Sequence, residues 1–238
     1  MMRISGFSIS LLLIVFASPL FGQDSIKAPL SIRGGVDIYG PIYNYYYPEN
    51  MTIEGYISFD PDLKKSYVIE TGYQNFTFSQ NNYKFSSDGL FLRLGADFNI
   101  IKPFQSEGKY YAGVGLRYGM SLYNTQVPSF SHENYWGTAT SSISTTSHLA
   151  HFFEVDPGIR TQVMKNISIG FYVKLRFMIY SGSSKDLKPV NIPGFGNGTR
   201  IFSPGINYYI SFSIPYKTLY VKPEIEKVPE EDQETVKK

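Results

Sequence analysis

From Tyr110 to Leu122 the chain alternates without a fault. Tyr110, Ala112, Val114, Leu116, Tyr118, Met120 and Leu122 share one parity, and Tyr111, Gly113, Gly115, Arg117, Gly119 and Ser121 the other. Successive side chains on a strand point to opposite faces, so a strict period of two predicts a strand with one face in an apolar medium. The same period predicts strands elsewhere. Leu30–Tyr39 sets Ile32, Val36 and Ile38 against Arg33, Asp37 and Tyr39, and Met51–Phe59 sets Ile53, Ile57 and Phe59 against Glu54, Tyr56 and Ser58. Tyr67–Asn75 opposes Ile69 and Tyr73 to Glu70 and Gln74, and Leu90–Asn99 opposes Leu90, Leu92, Leu94 and Phe98 to Arg93 and Asp97. Leu149–Val163 keeps Phe153, Val155, Ile159 and Val163 in one phase across Asp156-Pro157-Gly158, which predicts one strand with Pro157 in a bulge. Ile167–Tyr180 and Phe202–Ile214 complete the set of about eight.

The connections alternate in length. Pro61–Lys65 and Met164–Asn166 are short and Lys102–Gly108 is intermediate, whereas Gly40–Asn50, Phe76–Gly89, Asn124–Ser147 and Gly182–Arg200 are long. Short turns at one end and long loops at the other characterise outer-membrane barrels. A soluble barrel with an apolar interior fits the same alternation with its faces exchanged. The asymmetry of the connections, and glycines on the polar face that make room in a narrow lumen, favour the membrane arrangement. The fold class is therefore all-β, an antiparallel up-and-down transmembrane β-barrel of about eight strands, located in the cell outer membrane. An even strand count places both termini on the periplasmic side.

Composition narrows the function without naming it. The chain holds 238 residues with net charge +2, so no global field points to nucleic acid. It has no cysteine, which excludes disulfides, thiolate metal sites and a cysteine nucleophile. Twenty tyrosines and 18 phenylalanines against one tryptophan suit strands and interfacial belts. Arg3, the apolar run Ile9–Phe16, Pro19 and Gly22 predict a signal peptide over residues 1–22. Residues 23–216 form the predicted barrel, and the Lys-, Glu- and Pro-rich residues 217–238 a periplasmic tail too polar to pack.

The pattern over residues 28–216 resembles the small eight-stranded outer-membrane barrels of the OmpA membrane-domain and OmpX type. Ser203, Gly205, Tyr208 and Ile210 in the last strand also resemble the C-terminal assembly signal of such proteins. The resemblance implies outer-membrane lipids and the barrel-assembly machinery as partners, and external loops that meet a surface ligand or another protein.

The polar faces carry Arg33, Arg93, Arg117, Arg160, Lys174 and Arg176 together with Asp37, Glu54, Glu70, Asp97, Glu154 and Asp156. An eight-stranded barrel is just wide enough for side chains to fill. Buried charges persist when they are paired, so this set predicts a lumenal network that plugs the barrel; a narrow, porin-like channel is the competing role. His132, His148 and His151, with Ser144, Ser147 and Glu154 nearby, are rim candidates for a lipid-modifying enzyme through nucleophilic chemistry. No nucleophile motif accompanies them, and a spacing of three places His148 and His151 on opposite faces of a strand. Gly194-Phe195-Gly196-Asn197-Gly198 lacks the following helix of a phosphate loop and reads as a flexible exposed loop. Tyr43, Tyr45, Tyr46 and Tyr47 read as an interfacial belt. No catalytic residue, cofactor or metal is expected. The sequence points to a structural or surface-interaction role.

Overall fold

A computed structural model describes residues 25–80, 83–182 and 188–222, and of residues 132–134 the backbone alone. The predicted signal peptide and the tail beyond Lys222 lie outside these residues. Eight long strands close into a barrel: β1 (Ile26–Asp37), β2 (Met51–Phe59), β3 (Lys65–Gln80), β4 (Tyr83–Asn99), β5 (Tyr110–Asn134), β6 (Gly137–Met164), β7 (Ile167–Tyr180) and β10 (Phe202–Val221). Each is antiparallel to its neighbour in sequence, and β1 closes the ring on β10. A two-stranded hairpin, β8 (Asn191–Ile192) and β9 (Gly196–Asn197), sits between β7 and β10.

The alternation resolves into an outside and an inside. Ile57 is 62% exposed and Leu90 59%, whereas Arg93 is 1% and Glu154 0% exposed. The charged parity faces the lumen and the aliphatic parity faces out, the reverse of a soluble ligand-binding barrel. Inner-face glycines serve a purpose that periodicity does not reveal. Gly35, Gly72, Gly119 and Gly158 pair across strands with Tyr56, Phe91, Phe152 and Tyr172. A Cβ on any of the four would lie 2.2–2.4 Å from its partner's ring. The ring lies over the bare backbone, which fixes register in a strongly curved sheet.

Several boundaries differ from the periodic reading. β3–β4 and β5–β6 continue as ladders to Gln80–Tyr83 and Asn134–Gly137, through most of what was expected to be loop. There the strands rise beyond β1, β2, β7 and β10, and the outer end of β6 is exposed on both faces, so Ser- and Thr-rich sequence replaces apolar alternation. β1 ends at Asp37, and Tyr39–Tyr46 is a short helix that carries Tyr43, Tyr45 and Tyr46. β10 runs to Val221, because β1 starts at Ile26 and supplies a partner for each of Lys217–Val221. The strand thus runs past residue 216, where the barrel was expected to end. Pro157 needs no bulge: the registers to β5 and β7 are the same on either side of it, and between Val155 and Gly158 it is Asp156 and Pro157 that lack partners on β7. A residue without an N–H fits such a gap.

The short connections are built tightly. Asp62 Oδ1 accepts hydrogen bonds from the Lys64 and Lys65 amides, each at 2.7 Å. Asn166 closes the β6–β7 turn at φ +68°, a left-handed conformation that asparagine tolerates.

Candidate functional site

The lumen is organised around a belt of ions at mid-height. Glu54 on β2 and Glu70 on β3 face Arg93 on β4 and Lys174 on β7. Arg93 Nη1 lies 2.7 Å from Glu54 Oε1 and 2.9 Å from Glu70 Oε2, and Lys174 Nζ lies 2.9 and 2.7 Å from the same two oxygens. Tyr209 on β10 donates its hydroxyl to Glu54 Oε1. Glu154 on β6 draws the other side of the belt together, 3.4 Å from Arg93 Nε, 3.5 Å from Lys174 Nζ and 3.0 Å from Arg176 Nε. Arg117 on β5 extends it to Glu70 at 3.1 Å, to Asp97 at 3.0 Å and to Asp156. Besides pairs on neighbouring strands, the belt joins β2 to β4, β2 and β3 to β7, and β4 to β6, so it cross-links strands that do not hydrogen-bond to one another. Desolvating so many ions is costly, and mutual neutralisation at hydrogen-bond distance offsets that cost.

The remaining charges have other partners. Arg33 pairs with Asp60, whose carboxylate also accepts from Ser31 at 3.1 Å and Ser66 at 2.6 Å. Asp60 continues the inner-face phase of Glu54, Tyr56 and Ser58 one residue past the end of β2, before Pro61. Asp37 holds backbone rather than a cation: its oxygens accept from the Gly40 amide at 2.8 Å and the Tyr208 amide at 3.1 Å. Arg160 stacks over the Tyr111 ring, 5.1 Å from its centroid. Apolar layers lie on both sides of the belt. Tyr56, Val68, Tyr111, Tyr172 and Tyr209 pack toward the short-turn end; Tyr123, Ala150, Phe152, Ile192 and Phe195 pack toward the long-loop end.

The last two of these come from the β8–β9 hairpin, and here the loop reading is corrected. Gly194 and Phe195 are not in an exposed flexible loop; they are buried in the barrel mouth, with Phe195 5.6 Å from the Phe152 ring. Arg93 Nη2 donates to Gly194 O at 2.8 Å, Arg176 Nη1 donates to Phe195 O at 3.1 Å, and the Gly194 amide donates to Gln74 Oε1 at 3.1 Å. A glycine-rich segment looks mobile in sequence. In the fold, glycine is what permits it to dock. Gly194 has φ +76°, and a Cβ there would lie 2.4 Å from Phe91. Gly194→Val is therefore expected to undock the hairpin while the barrel survives. Limited proteolysis should cut the 188–200 segment faster than in wild type, with heat-modifiable gel migration retained; equal protease resistance would show that the docking tolerates a side chain.

The rim histidines do not form a set. His148 contacts Gly182 O at 3.1 Å and Thr125 Oγ1 at 3.0 Å, so both ring nitrogens have partners. His151 is on the outer face, where Tyr118 OH lies 2.9 Å from Nδ1 and the rings of Tyr118 and Tyr180 flank it. Ser147 Oγ donates to Asn124 at 2.7 Å, and Glu154 belongs to the belt. His132 lies near the tip of the β5–β6 hairpin, across from Ala139, and its side chain is outside the described residues. Among the described residues no serine–histidine–carboxylate arrangement is assembled.

Comparison with known proteins adds the following. No curated protein matches the sequence. Among solved structures, CarO of Acinetobacter baumannii aligns with TM-score 0.36 and 12% identity, over 79% of this chain and 98% of its own. Neisserial surface protein A aligns with TM-score 0.34 and 10% identity, over 79% and 95%. Ail, the attachment invasion locus protein of Yersinia pestis, aligns with TM-score 0.30 and 8% identity, over 79% and 97%. Similarity at this level says nothing of what this chain binds. The sequence model of the family described as "Domain of unknown function (DUF6048)" matches residues 3–219. The chain belongs to that family.

Proposed function

We propose that the protein is a non-conducting outer-membrane barrel whose role is structural or interactive, exercised through the long-loop end on the cell exterior. The observation that carries this reading is the pairing of a closed eight-stranded ring with aliphatic side chains outside and mutually neutralised ions inside. Water would have to cover residues such as Ile57, Leu90 and Leu122 around the whole circumference, far more apolar surface than a soluble monomer exposes. Lipid covers it without cost. The lumen is then an internal scaffold that holds the ring round and the loops in place. A channel is a weaker reading, because the belt, the tyrosines beneath it and the docked hairpin above it all occupy the path. The lipid-modifying reading is weaker still, given the separate commitments of His148 and His151.

Two experiments test location and orientation. The protein is expected to float with outer membranes in a sucrose gradient, to need detergent for release, and to migrate faster on gels unheated than boiled. Release by osmotic shock alone would sink the membrane reading. Cysteines introduced at Tyr135 or Trp136, at the β5–β6 tip, should react with an impermeant maleimide on intact cells. A cysteine at Lys222 should react only after the outer membrane is permeabilised. The opposite labelling would invert the barrel.

A further inference from the structure

At the long-loop end, between the Tyr39–Tyr46 helix and the docked β8–β9 hairpin, a cavity of about 200 Å³ opens above the ion belt. Its floor is the belt itself. Its walls are the rings of Tyr39 and Tyr43, which stack 6.0 Å apart, and polar side chains from four strands: Thr52, Gln74, Arg176 and Asn207.

What these walls offer is decided by which groups are already committed. The two carboxylates at the cavity, Asp37 and Glu54, are engaged: Asp37 by two backbone amides, Glu54 by Arg93, Lys174 and Tyr209. Arg93 is likewise held by Glu54, Glu70 and Gly194 O. The uncommitted groups are of a different kind. Arg176 uses Nε on Glu154 and Nη1 on Phe195 O, which among the described residues leaves Nη2. Gln74 uses Oε1 on the Gly194 amide, which among the described residues leaves its amide hydrogens. Asn207, 5% exposed, makes no side-chain hydrogen bond to another described residue and so presents both a donor and an acceptor. Thr52 adds a hydroxyl with the same double capacity.

Charges at the cavity are thus neutralised within the protein, and what remains is a mixture of donors and acceptors around aromatic rings. A free cation or a small anion would use only one half of that mixture. A ring bearing several hydroxyls uses both, and lays its apolar face on an aromatic wall. The volume lies below the roughly 300–1,000 Å³ of pockets for drug-sized ligands, which limits the occupant to a single ring. We propose that this vestibule binds one saccharide unit, either a free monosaccharide or the terminal sugar of a glycan. The inference deepens the surface-interaction reading and rests on it for the direction from which the ligand arrives; the site itself is defined by the residues above.

The test uses the full-length protein, purified in detergent, and saturation-transfer NMR with glucose, galactose and N-acetylglucosamine as probes, followed by titration of whichever binds. Binding of at least one sugar is expected, weakened about tenfold in Tyr43→Ala and in Asn207→Leu, the size of effect that follows from losing a ring contact or one to two hydrogen bonds. Heat-modifiable migration shows that each variant has folded. Competition by purified lipopolysaccharide assigns the bound sugar to a glycan end, and absence of competition to the free sugar; both support the proposal. It is overturned if none of the sugars binds, if both variants bind as wild type does, or if acetate or phosphate binds in their place. Failure here, with flotation and surface labelling as expected, would remove the saccharide site and leave the outer-membrane reading standing.

Discussion

Arg93→Ala is expected to destabilise the barrel by about 3–5 kcal/mol, the cost of removing one partner from a buried ionic cluster. Arg93 neutralises Glu54, Glu70 and Glu154 together with Lys174, and its own side chain is 1% exposed. Its loss leaves Glu54 with Lys174 as its one cation, while Glu70 and Glu154 keep Lys174 and fall back on Arg117 and Arg176. The guanidinium also holds Gly194 O and lies over the Phe91 ring at 4.5 Å, so the hairpin loosens as well. Unfolding in urea, followed by the loss of heat-modifiable migration, measures the change. The double variant Arg93→Ala/Glu70→Gln should recover part of the loss, because one unpaired charge disappears with the other. Residues in one network are coupled, so their effects should not add. Equal stability of wild type and Arg93→Ala would mean that the belt is solvated, and that the lumen is wetter than its packing indicates.

The belt and the ring were legible in the sequence for one reason: a period of two sorts every residue of a strand into two faces, whatever the tertiary partners are. Leu90, Leu92 and Leu94 against Arg93 and Asp97 divide β4 into two faces, and the barrel turns the charged one inward. What periodicity cannot supply is which inner residue meets which. Arg33 and Asp37 share a face four residues apart, yet one reaches Asp60 beyond the end of β2 and the other caps Gly40. Alternation also fades where both faces meet water, so the ladders of β3–β4 and β5–β6 beyond the ends of β1, β2, β7 and β10 read as loops. Their Ser- and Thr-rich strands have strand propensity without an apolar face.

The docked hairpin was illegible for the opposite reason. Gly194, Gly196 and Gly198 are the composition of a mobile linker, and nothing local distinguishes a segment that must be flexible from one that must approach closely. The signal lies in pairs far apart in sequence: Gln74 with the Gly194 amide, Arg93 with Gly194 O, Gly72 beneath Phe91. The inner-face glycines make the same point. They reduce crowding in the lumen, as the pattern indicates, but at Gly35, Gly72, Gly119 and Gly158 the freed space is taken at once by a cross-strand ring.

Two barriers lie in series along the barrel axis, and they separate a plug from a gate. The hairpin covers part of the long-loop mouth, while the belt and the layer of Tyr56, Tyr111, Tyr172 and Tyr209 fill the lumen below it. An eight-stranded interior is filled by its own side chains, so the lower barrier should suffice without the upper one. Wild-type protein in planar bilayers is therefore expected to give no steady conductance, and so is a variant in which residues 191–198 are replaced by a Gly-Ser linker. That variant should still show heat-modifiable migration, because the belt retains Lys174, Arg117 and the three glutamates. It should also lose the cavity above the belt, whose wall the hairpin supplies. Sustained ion-selective channels from wild-type protein would make this a pore and overturn the proposed role. Channels only after removal of the hairpin would make the hairpin the gate, and would show that the belt can conduct once its partners Gly194 and Phe195 are gone.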